Sequence, residues 1–523
     1  MRRLLVCTRV IAAAALLVAA LPASASAAER FPRGFLWGTA TSGFQVEAGG
    51  KPSNADRRSD WWAFSNDPDL ISRDLVSGDR VDRGPGQWKV WRRDLDLARK
   101  KLNNNAVRMG IEWSRIFPRS TAGVKVGSRR ITRAQLRRLD RLASGRAVCH
   151  YRWVLRGARA RGLKTMLTLH HFTLPLWIHD PTGVRAAFAG RGGDDPVPAS
   201  LRRGGWIQRS TVAEFRKFAA YAAWKFGDHV NLWVTMNEPL VQISQGMVSI
   251  PGVTGTKAPG ILSYAAAVQA VENMALGNAA AYDAINSVDR RARVGFVHNM
   301  ADWRPANPSS AADRQSAENA NYILNRLFLN ATVRGRYDTD ADGRIDPGES
   351  RPRLARKADF VGVNYYSPAF ASSLGASVNT RVPLFDFAPT IAYRGTGNPA
   401  GPPCPSRCTE FGWVIDATGL RNVLELAATY GRPLYVTENG IDDADDSERP
   451  DYLVSHLRAV RRAITGGARV RGYFHWSLTD NFEWSEGYKA RFGLYAFNPS
   501  TLARRARPSA RIYARIARRN AIP

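Results

Sequence analysis

Two glutamate residues follow short apolar runs in similar polar contexts. Glu238 lies in Trp233-Val-Thr-Met-Asn-Glu-Pro239, and Glu438 lies in Leu434-Tyr-Val-Thr-Glu-Asn-Gly440. Paired carboxylates suit the hydrolysis of a glycosidic bond, because one group can protonate the leaving oxygen while the other attacks the anomeric carbon. The acid needs a raised pKa, whereas the nucleophile must stay ionised with help from a cation or from hydrogen-bond donors.

Eight apolar runs rich in β-branched residues recur along the chain. They are Phe35–Ser42, Ala106–Trp113, Leu163–His171, Val230–Pro239, Val294–Asn299, Phe360–Tyr366, Leu434–Asn439 and Val470–Leu478. Short continuous apolar runs are typical of strands that are buried on both faces of a parallel sheet. Helical patterns separate many of them: Gln87–Leu102, Tyr151–Arg161, Val212–Phe226, Tyr264–Ser287, Asp313–Arg334 and Asp451–Thr465. The alternation predicts an α/β fold, a single-domain (β/α)8 TIM barrel over residues 29–523.

In such a barrel, functional groups lie at the carboxyl ends of the strands. These ends carry Gln45, Arg108, His170-His171, Asn237-Glu238, His298-Asn299, Asn364-Tyr365-Tyr366, Glu438-Asn439 and Trp476. We expect them to converge on one mouth of the barrel, where Arg108 and Tyr366 are the candidate partners that keep Glu438 ionised. The long segments 172–206 and 367–412 follow the third and sixth strands and are predicted to form loops around that mouth.

Longer motifs occur in order along the chain. They are the segment from Phe31 to Glu47, Thr168-Leu-His-His-Phe-Thr-Leu-Pro175, Thr235-Met-Asn-Glu-Pro239, Asp359-Phe-Val-Gly-Val-Asn-Tyr-Tyr366, Val436-Thr-Glu-Asn-Gly440, the segment from Gly472 to Trp484, and Gly487-Tyr-Lys-Ala-Arg-Phe-Gly-Leu494. Through these motifs the chain resembles glycoside hydrolase family 1, the β-glucosidase family, over residues 31–523. The resemblance implies an enzyme that acts on small-molecule or oligosaccharide β-glycosides.

The resemblance also implies a role for each matching residue. Glu238 would be the acid/base and Glu438 the nucleophile of a retaining enzyme that hydrolyses terminal non-reducing β-D-glucosyl, or related β-glycosyl, residues by double displacement. The substrate-binding residues that it implies are Gln45, Arg108, His171, Asn237, Tyr366, Trp476, Glu483 and Trp484. No cofactor or metal is implied for catalysis, and the Glu483 carboxylate would repel a phosphorylated sugar.

Other functions stay open at this point. A transglycosidase would use the same residues and the same glycosyl-enzyme, and a carbohydrate-binding protein would bind sugar without turnover. The net charge of +30, with 64 arginines and 11 lysines, raises the alternative of nucleic-acid binding. No nucleic-acid-binding motif accompanies that charge. The runs Arg152–Arg161 and Arg504–Arg519 have the spacing of solvated helix faces, so no nucleic-acid partner is expected.

Residues 338–349 match the twelve-residue EF-hand calcium loop. The predicted metal ligands are Asp338, Asp340, Asp342, Arg344 through its backbone carbonyl, Asp346 and Glu349. A glycine at the sixth position suits the sharp turn of such loops. The segment precedes the sixth strand, so we expect a structural Ca²⁺ on the face opposite the mouth. The alternative is a solvated acidic turn, because Pro347 is unusual there and no second hand follows.

The first 28 residues have the pattern of a secretory signal peptide. Three arginines precede the apolar run Val10–Leu21, and Ala-x-Ala-like sites favour cleavage after Ala27 or Ala28. The alternative is a buried N-terminal helix, since twelve apolar residues are too few to span a bilayer. The prediction is therefore a secreted protein, and an oxidising compartment favours a disulfide between Cys404 and Cys408 over a metal site.

Overall fold

Eight parallel strands close into a barrel in the computed structural model, which describes residues 29–127, 130–248, 255–374, 382–396 and 398–522. The strands are β1 (Leu36–Ala40), β2 (Ala106–Gly110), β3 (Lys164–His170), β4 (Leu232–Asn237), β5 (Val294–Asn299), β6 (Phe360–Asn364), β7 (Leu434–Asn439) and β8 (Val470–His475). Consecutive strands are neighbours, and β8 pairs with β1. The predicted (β/α)8 barrel is confirmed. The predicted signal peptide lies outside the described residues.

Eight helices alternate with these strands. They are α1 (Gln87–Asp96), α2 (Gly145–Ala160), α3 (Ser210–Phe226), α4 (Tyr264–Val288), α5 (Ala311–Asn321), α6 (Ala417–Ala428), α7 (Arg449–Thr465) and α8 (Pro508–Arg519). Two of them continue with π-helical geometry. After α1 this is the segment Leu97–Lys101, and after α5 it is Tyr322–Arg326 and Asn330–Arg334, with a short α-helical turn Leu327–Leu329 between them. None of the helices in the described ranges is both long and apolar enough to cross a membrane.

The connections around the barrel carry shorter elements. Helices are Gly43–Glu47, Asp60–Ser65, Pro68–Ser72, Trp113–Ile116, Arg133–Leu142, Pro181–Phe188 and Pro239–Met247, and 3₁₀ turns are Pro52–Asn54, Val81–Arg83, Gly205–Ile207, Gly227–His229 and Trp484–Glu486. Strands Trp303–Pro305, Ala369–Ser373 and Phe387–Thr390 form one small sheet, and Tyr495–Phe497 pairs with Arg504–Ala506. The long segments after β3 and β6 therefore contain a helix and two of these strands.

Both faces of the barrel strands are buried, which explains why they appear in the sequence as continuous apolar runs. One cluster includes Leu36, Ala106, Met166, Val234, Val297, Phe360 and Phe474. The neighbouring positions Trp37, Leu167, Trp233, Phe296, Val361 and Tyr473 belong to a second cluster that extends to the helices. A side chain at Gly38 would overlap the Phe474 ring, since an added Cβ would lie 2.3 Å from it.

Two C-terminal arginines correct the prediction of solvated helix faces. Arg504 pairs with Asp94 through two hydrogen bonds of 3.0 and 2.8 Å, and only 1% of its side chain is exposed. Arg507 pairs with Asp480 at 2.9 Å through both terminal nitrogens. The planar guanidinium matches a carboxylate at two points, so a buried aspartate can hold an arginine out of water.

The two ends of the described chain lie together. Glu29–Arg30 pairs antiparallel with Ala521–Ile522. The indole nitrogen of Trp37, near the start of β1, donates a hydrogen bond of 2.9 Å to the Asn520 side chain. This contact places both ends at the face of the barrel where the strands begin, opposite their carboxyl ends.

Candidate active site

The predicted residues meet in a cavity of about 500 Å³ at the carboxyl ends of the strands. Its lining includes both glutamates together with His171, Tyr366, Trp476, Glu483 and Trp484. Gln45, Arg108 and Asn237 are buried and reach the same group through hydrogen bonds. All ten predicted catalytic and substrate-binding residues therefore belong to one connected site.

Glu438, near the end of β7, has a donor on each carboxylate oxygen. Arg108 from β2 donates to Oε1, and the Tyr366 hydroxyl donates to Oε2 at 2.6 Å. Arg108 also donates to the side-chain oxygen of Asn237 at 2.6 Å, so its guanidinium joins β2, β4 and β7. A cation and a hydroxyl donor both stabilise the ionised carboxylate.

Glu238 follows β4 directly and begins the helix Pro239–Met247 with a left-handed φ of 48°. Its Oε1 accepts hydrogen bonds from the side-chain amides of Asn364 at 2.7 Å and Asn299 at 3.2 Å. Burial, together with the charge of Glu438, raises the pKa of Glu238 to about 7. The two glutamates thus differ in environment, because Glu238 has amide partners where Glu438 has a guanidinium.

Polar atoms without partners lie at the wall of the cavity and directly beside it. The Nε2 of Gln45 donates to the Phe482 carbonyl at 2.9 Å, while its Oε1 is buried and has no partner among the described residues. The Nδ1 of His171 is likewise unpartnered in that part of the chain, and its Nε2 lies 3.2 Å from the Asn237 amide. Because unmet buried polar groups are costly, such atoms fit hydrogen bonding to a ligand.

Two tryptophans form an apolar surface beside these polar atoms. Trp476 and Trp484 both stack near His171, with ring centroids 6.1 and 5.8 Å away and planes inclined by 25° and 21°. An apolar face next to hydrogen-bonding groups suits a sugar ring, which has an apolar face and polar edges.

The site also contains Asn299, Asn364 and Lys257, and their contacts there are not predicted by the sequence. Asn299 and Asn364 end β5 and β6 and were noted as strand-end residues, but their shared contact with Glu238 was not foreseen. Lys257 lies in the connection before α4 and lines the cavity although it follows no strand. Burial raises the pKa of Glu483 to about 8, and the nearby ammonium of Lys257 acts in the opposite direction.

The glycosyl hydrolase family 1 model matches residues 27–187 and 196–522. The chain belongs to glycosyl hydrolase family 1. It is therefore an enzyme, a glycosidase, and members of this family need no cofactor for catalysis.

Known relatives agree with this family along nearly the whole chain. A β-galactosidase of Pyrococcus woesei is 37% identical over 505 residues, which cover 91% of this chain and 94% of the relative. A β-glucosidase of Agrobacterium sp. is 31% identical, covering 94% of this chain and 96% of the relative. The crystal structure of the β-glycosidase from Thermosphaera aggregans superposes with a TM-score of 0.82 at 36% identity, covering 94% and 98% of the two chains.

The loop after β6 carries the cysteine pair to the mouth of this family 1 barrel. The structure joins Cys404 to Cys408 and leaves Cys149 as a free, exposed cysteine. Phe411 and Trp413, a few residues further on, line the cavity, and the Trp413 ring lies 5.3 Å from Tyr366. The disulfide thus constrains a loop that forms part of the site.

The predicted calcium loop is only partly assembled. Carboxylate oxygens of Asp338, Asp340 and Asp342 lie within 4.8 Å of one another. Glu349 lies outside that group and accepts hydrogen bonds from the backbone of Thr339 at 2.6 Å and Asp346 at 2.9 Å. The gathered aspartates are three of the six predicted ligands.

The position of this loop also differs from the prediction. Asp338 accepts a hydrogen bond of 2.7 Å from Tyr322, in the middle of the long α5 region, and Leu384 donates to the Ala341 carbonyl at 3.2 Å. Residue 384 belongs to the connection after β6, and residues 388–392 of that connection line the cavity. The loop therefore folds back along α5 and contacts a segment that leads to the mouth.

Proposed function

We propose that this family 1 enzyme is a retaining β-glycosidase that removes terminal non-reducing β-D-glucosyl, or related β-glycosyl, residues. The observation that carries the proposal is the pair of glutamates in one cavity with opposite environments. Glu438 has a guanidinium and a hydroxyl on its two oxygens. Burial and the neighbouring charge raise the pKa of Glu238 to about 7.

These environments suit the two steps of a double displacement. In the first step, ionised Glu438 attacks the anomeric carbon while Glu238 gives its proton to the leaving oxygen, so the glycosidic bond breaks and a glycosyl ester forms. In the second step, Glu238 takes a proton from water, the resulting hydroxide attacks the same carbon, and the ester bond to Glu438 breaks. Both carboxyl groups then return to their starting states.

The cavity supports a neutral sugar as the glycone. Gln45 Oε1, His171 Nδ1 and the Glu483 carboxylate offer acceptors and a donor to hydroxyl groups, and Trp476 offers a ring face. A carboxylate at position 483 disfavours a sugar phosphate by charge repulsion. The relatives named as a β-galactosidase and a β-glucosidase support glucosides and galactosides as the first substrates to test.

A panel of 4-nitrophenyl glycosides tests the reaction. We expect hydrolysis of the β-glucoside or β-galactoside, no hydrolysis of the α-anomers, and release of the β-sugar as the first product seen by NMR. The α-sugar as first product, or no hydrolysis of any β-glycoside, would contradict the proposal. An added alcohol acceptor reports transglycosylation from the same intermediate.

Azide rescue separates the roles of the two glutamates. With an activated aryl β-glycoside, Glu438→Gly should yield the α-glycosyl azide, because azide attacks from the face that the nucleophile has vacated. Glu238→Gly should yield the β-glycosyl azide, because the glycosyl-enzyme still forms on Glu438. The opposite products would exchange the two roles.

We also propose that the enzyme is secreted after removal of residues 1–28. The charge and apolar pattern of this segment and the cysteine pair in an exposed mouth loop support export. Expression with the leader in a secreting bacterial host tests the proposal. We expect extracellular protein whose N-terminal sequence begins at Ala28 or Glu29, whereas uncleaved intracellular protein would contradict it.

The remaining part of the proposal is a structural Ca²⁺ in residues 338–349. The approach of three aspartates supports it, as does the turn at Gly343, whose N–H donates to Asp338 at 2.8 Å and whose φ is 88°. Asp346, Glu349 and the Arg344 carbonyl would complete the ligand set. Calorimetric titration of chelator-treated enzyme with CaCl₂ should show binding that Asp338→Asn abolishes, and no heat of binding in the parent enzyme would contradict the site.

A further inference from the structure

Lys257 is a buried cation in the wall of the catalytic cavity. Only 6% of the residue is exposed. Its ammonium lies 4.2 Å from the ring centroid of Phe172 and 5.1 Å from that of Trp484. Aromatic faces attract a cation, and this contact holds the ammonium at one place without consuming its N–H groups.

The ammonium has no acceptor among the residues that the structure describes. Within the described ranges, Lys257 forms neither a hydrogen bond nor an ion pair. In a residue that is only 6% exposed, an ammonium with three unused donors is stabilised when a ligand in the cavity supplies the acceptors. The side chain lines the same cavity as the two catalytic candidates, so a bound sugar is the natural source of those oxygens.

The charges around Lys257 give it a second effect. Glu238, Glu483, Glu438 and Glu486 all act on its ammonium, and burial lowers the pKa of Lys257 to about 8 against their influence. Among the described lining residues it is the cavity's one lysine or arginine. Arg108, the other cation nearby, is already engaged by Glu438 and Asn237.

We propose that Lys257 is a substrate-binding and specificity-determining residue, whose ammonium donates hydrogen bonds to hydroxyl oxygens of the glycone and balances the charge of Glu483. The inference rests on the proposed glycosidase function and extends it to a residue outside the strand ends. A carboxylate accepts hydrogen bonds from two sugar hydroxyls best when it is ionised. Lys257 favours that ionised form at Glu483, so it improves binding both directly and through its neighbour.

Three substitutions separate these effects. Lys257→Met removes the donors and the charge, Lys257→Gln keeps a donor without charge, and Lys257→Arg keeps the charge. We expect kcat/KM for the preferred β-glycoside to fall about 10- to 100-fold in Lys257→Met, mainly through KM, since hydrogen bonds to charged groups are of this strength. Lys257→Arg should retain more activity than Lys257→Gln. The matched control is Lys489→Met, because Lys489 is exposed and also acts on Glu486.

The pH profile distinguishes a binding role from a packing role. Lys257 lowers the pKa values of Glu238, Glu483 and His171, and it also faces Glu438 and Glu486. Lys257→Met should therefore move the basic limb of kcat/KM, which reports protonated Glu238, to higher pH. An unchanged kcat/KM, or a loss accompanied by a lower melting temperature and an unmoved pH profile, would overturn the proposal.

A binding measurement keeps this test separate from the catalytic one. Calorimetry with D-glucono-1,5-lactone requires no turnover, and we expect Lys257→Met to weaken its affinity about tenfold relative to the parent enzyme. If the parent hydrolyses no β-glycoside but the lactone affinity falls as expected, the proposed function fails and the role of Lys257 stands. Equal lactone affinity in parent and variant, or no binding by the parent, would overturn the role of Lys257.

Discussion

The active site has a counterpart that is sealed inside the protein. Glu47, Asp56, Glu112, Arg115 and Tyr151 form a buried cluster with the same ingredients: carboxylates, an arginine and a tyrosine. Burial, with the charges of its neighbours, raises the pKa of Glu112 to about 8, just as it raises that of Glu238 to about 7. A raised pKa is therefore common to both regions.

The two regions differ in what faces the carboxyl oxygens. Glu112 accepts hydrogen bonds from the Phe44 backbone at 2.9 Å and the Thr173 hydroxyl at 2.6 Å, so protein groups occupy both of its oxygens. Glu238 and Glu438 border a cavity instead. Access to a ligand, together with an environment that separates acid from nucleophile, distinguishes catalytic from structural carboxylates. Through Phe44 and Thr173, the sealed cluster also steadies the segments that carry Gln45 and His171.

The largest expected difference between the two regions comes from replacing a glutamate by glutamine in each of them. Glu438→Gln should lower kcat on a 4-nitrophenyl β-glycoside by at least about 10⁴-fold, or about 5.4 kcal/mol, because the substitution removes the proposed nucleophile. Glu112→Gln should retain kcat within about fivefold, because glutamine resembles the neutral acid that burial favours there. Comparable losses in both variants would remove the distinction between the regions.

The arginine of the sealed cluster should control stability. Arg115 lies 2.6 Å from Glu47 and packs over Trp88 at 4.5 Å. Arg115→Met leaves buried Glu47 uncompensated, so the free energy of unfolding should fall by about 3–5 kcal/mol in urea titrations. Arg421→Met, which breaks an exposed pair with Glu425, is the control and should change it by less than about 0.5 kcal/mol. A small effect at Arg115 would mean that the cluster contributes little to stability.

The pH dependence of stability should report on Glu112. Its pKa is raised in the folded state from 4.5 to about 8, so folding favours the proton-bound form. Its contribution to stability is full below pH 4.5 and is lost as the pH rises to about 8. Glu112→Gln should therefore reduce the fall in melting temperature between pH 5 and pH 8, measured by differential scanning calorimetry. An identical slope in parent and variant would contradict this assignment.

The smallest expected effect extends the comparison to the carboxylates of the calcium loop. Asp342 is half-buried and Asp340 is exposed, in an open loop in which Ile345 is 39% exposed. A site with a Kd of about 10⁻³ M should stabilise the enzyme by about 1.4 kcal/mol in 10 mM Ca²⁺. We expect a small rise in melting temperature that EDTA reverses and that Asp338→Asn eliminates. No shift with added calcium would contradict the loop's proposed role.

Much of the barrel was predictable because parallel strands buried on both faces leave a strong sequence signal. The helix Tyr264–Val288 was also predicted to within one residue, because its apolar residues recur with regular helical spacing. Glu238 and Glu438 could be found because strand ends converge in this fold. The same rule identified Asn299 and Asn364 as strand-end residues. It could not show that both donate to Glu238, because that contact depends on how the strands pack.

Other features depend on contacts between distant parts of the chain. Lys257 is a single lysine in a connection, and only its approach to Phe172 and Trp484 makes it part of the site. Arg504 belongs to a basic run that resembles a solvated surface, yet Asp94 buries it. In the calcium loop, the linear pattern predicts six ligands, whereas local backbone donors engage Glu349. The spacing of residues in the sequence does not show which distant group each of these side chains will contact.

The pairing of Glu29–Arg30 with Ala521–Ile522 has a practical consequence. Both ends of the described chain lie beneath the barrel, and the cavity opens at the other face. An enzyme immobilised on a resin through a tag placed directly before Glu29 or after Ile522 should therefore present its mouth to the solution. Because the two ends are adjacent, a short linker between them should also permit a circularly permuted enzyme, whose new termini can be placed in an exposed connection.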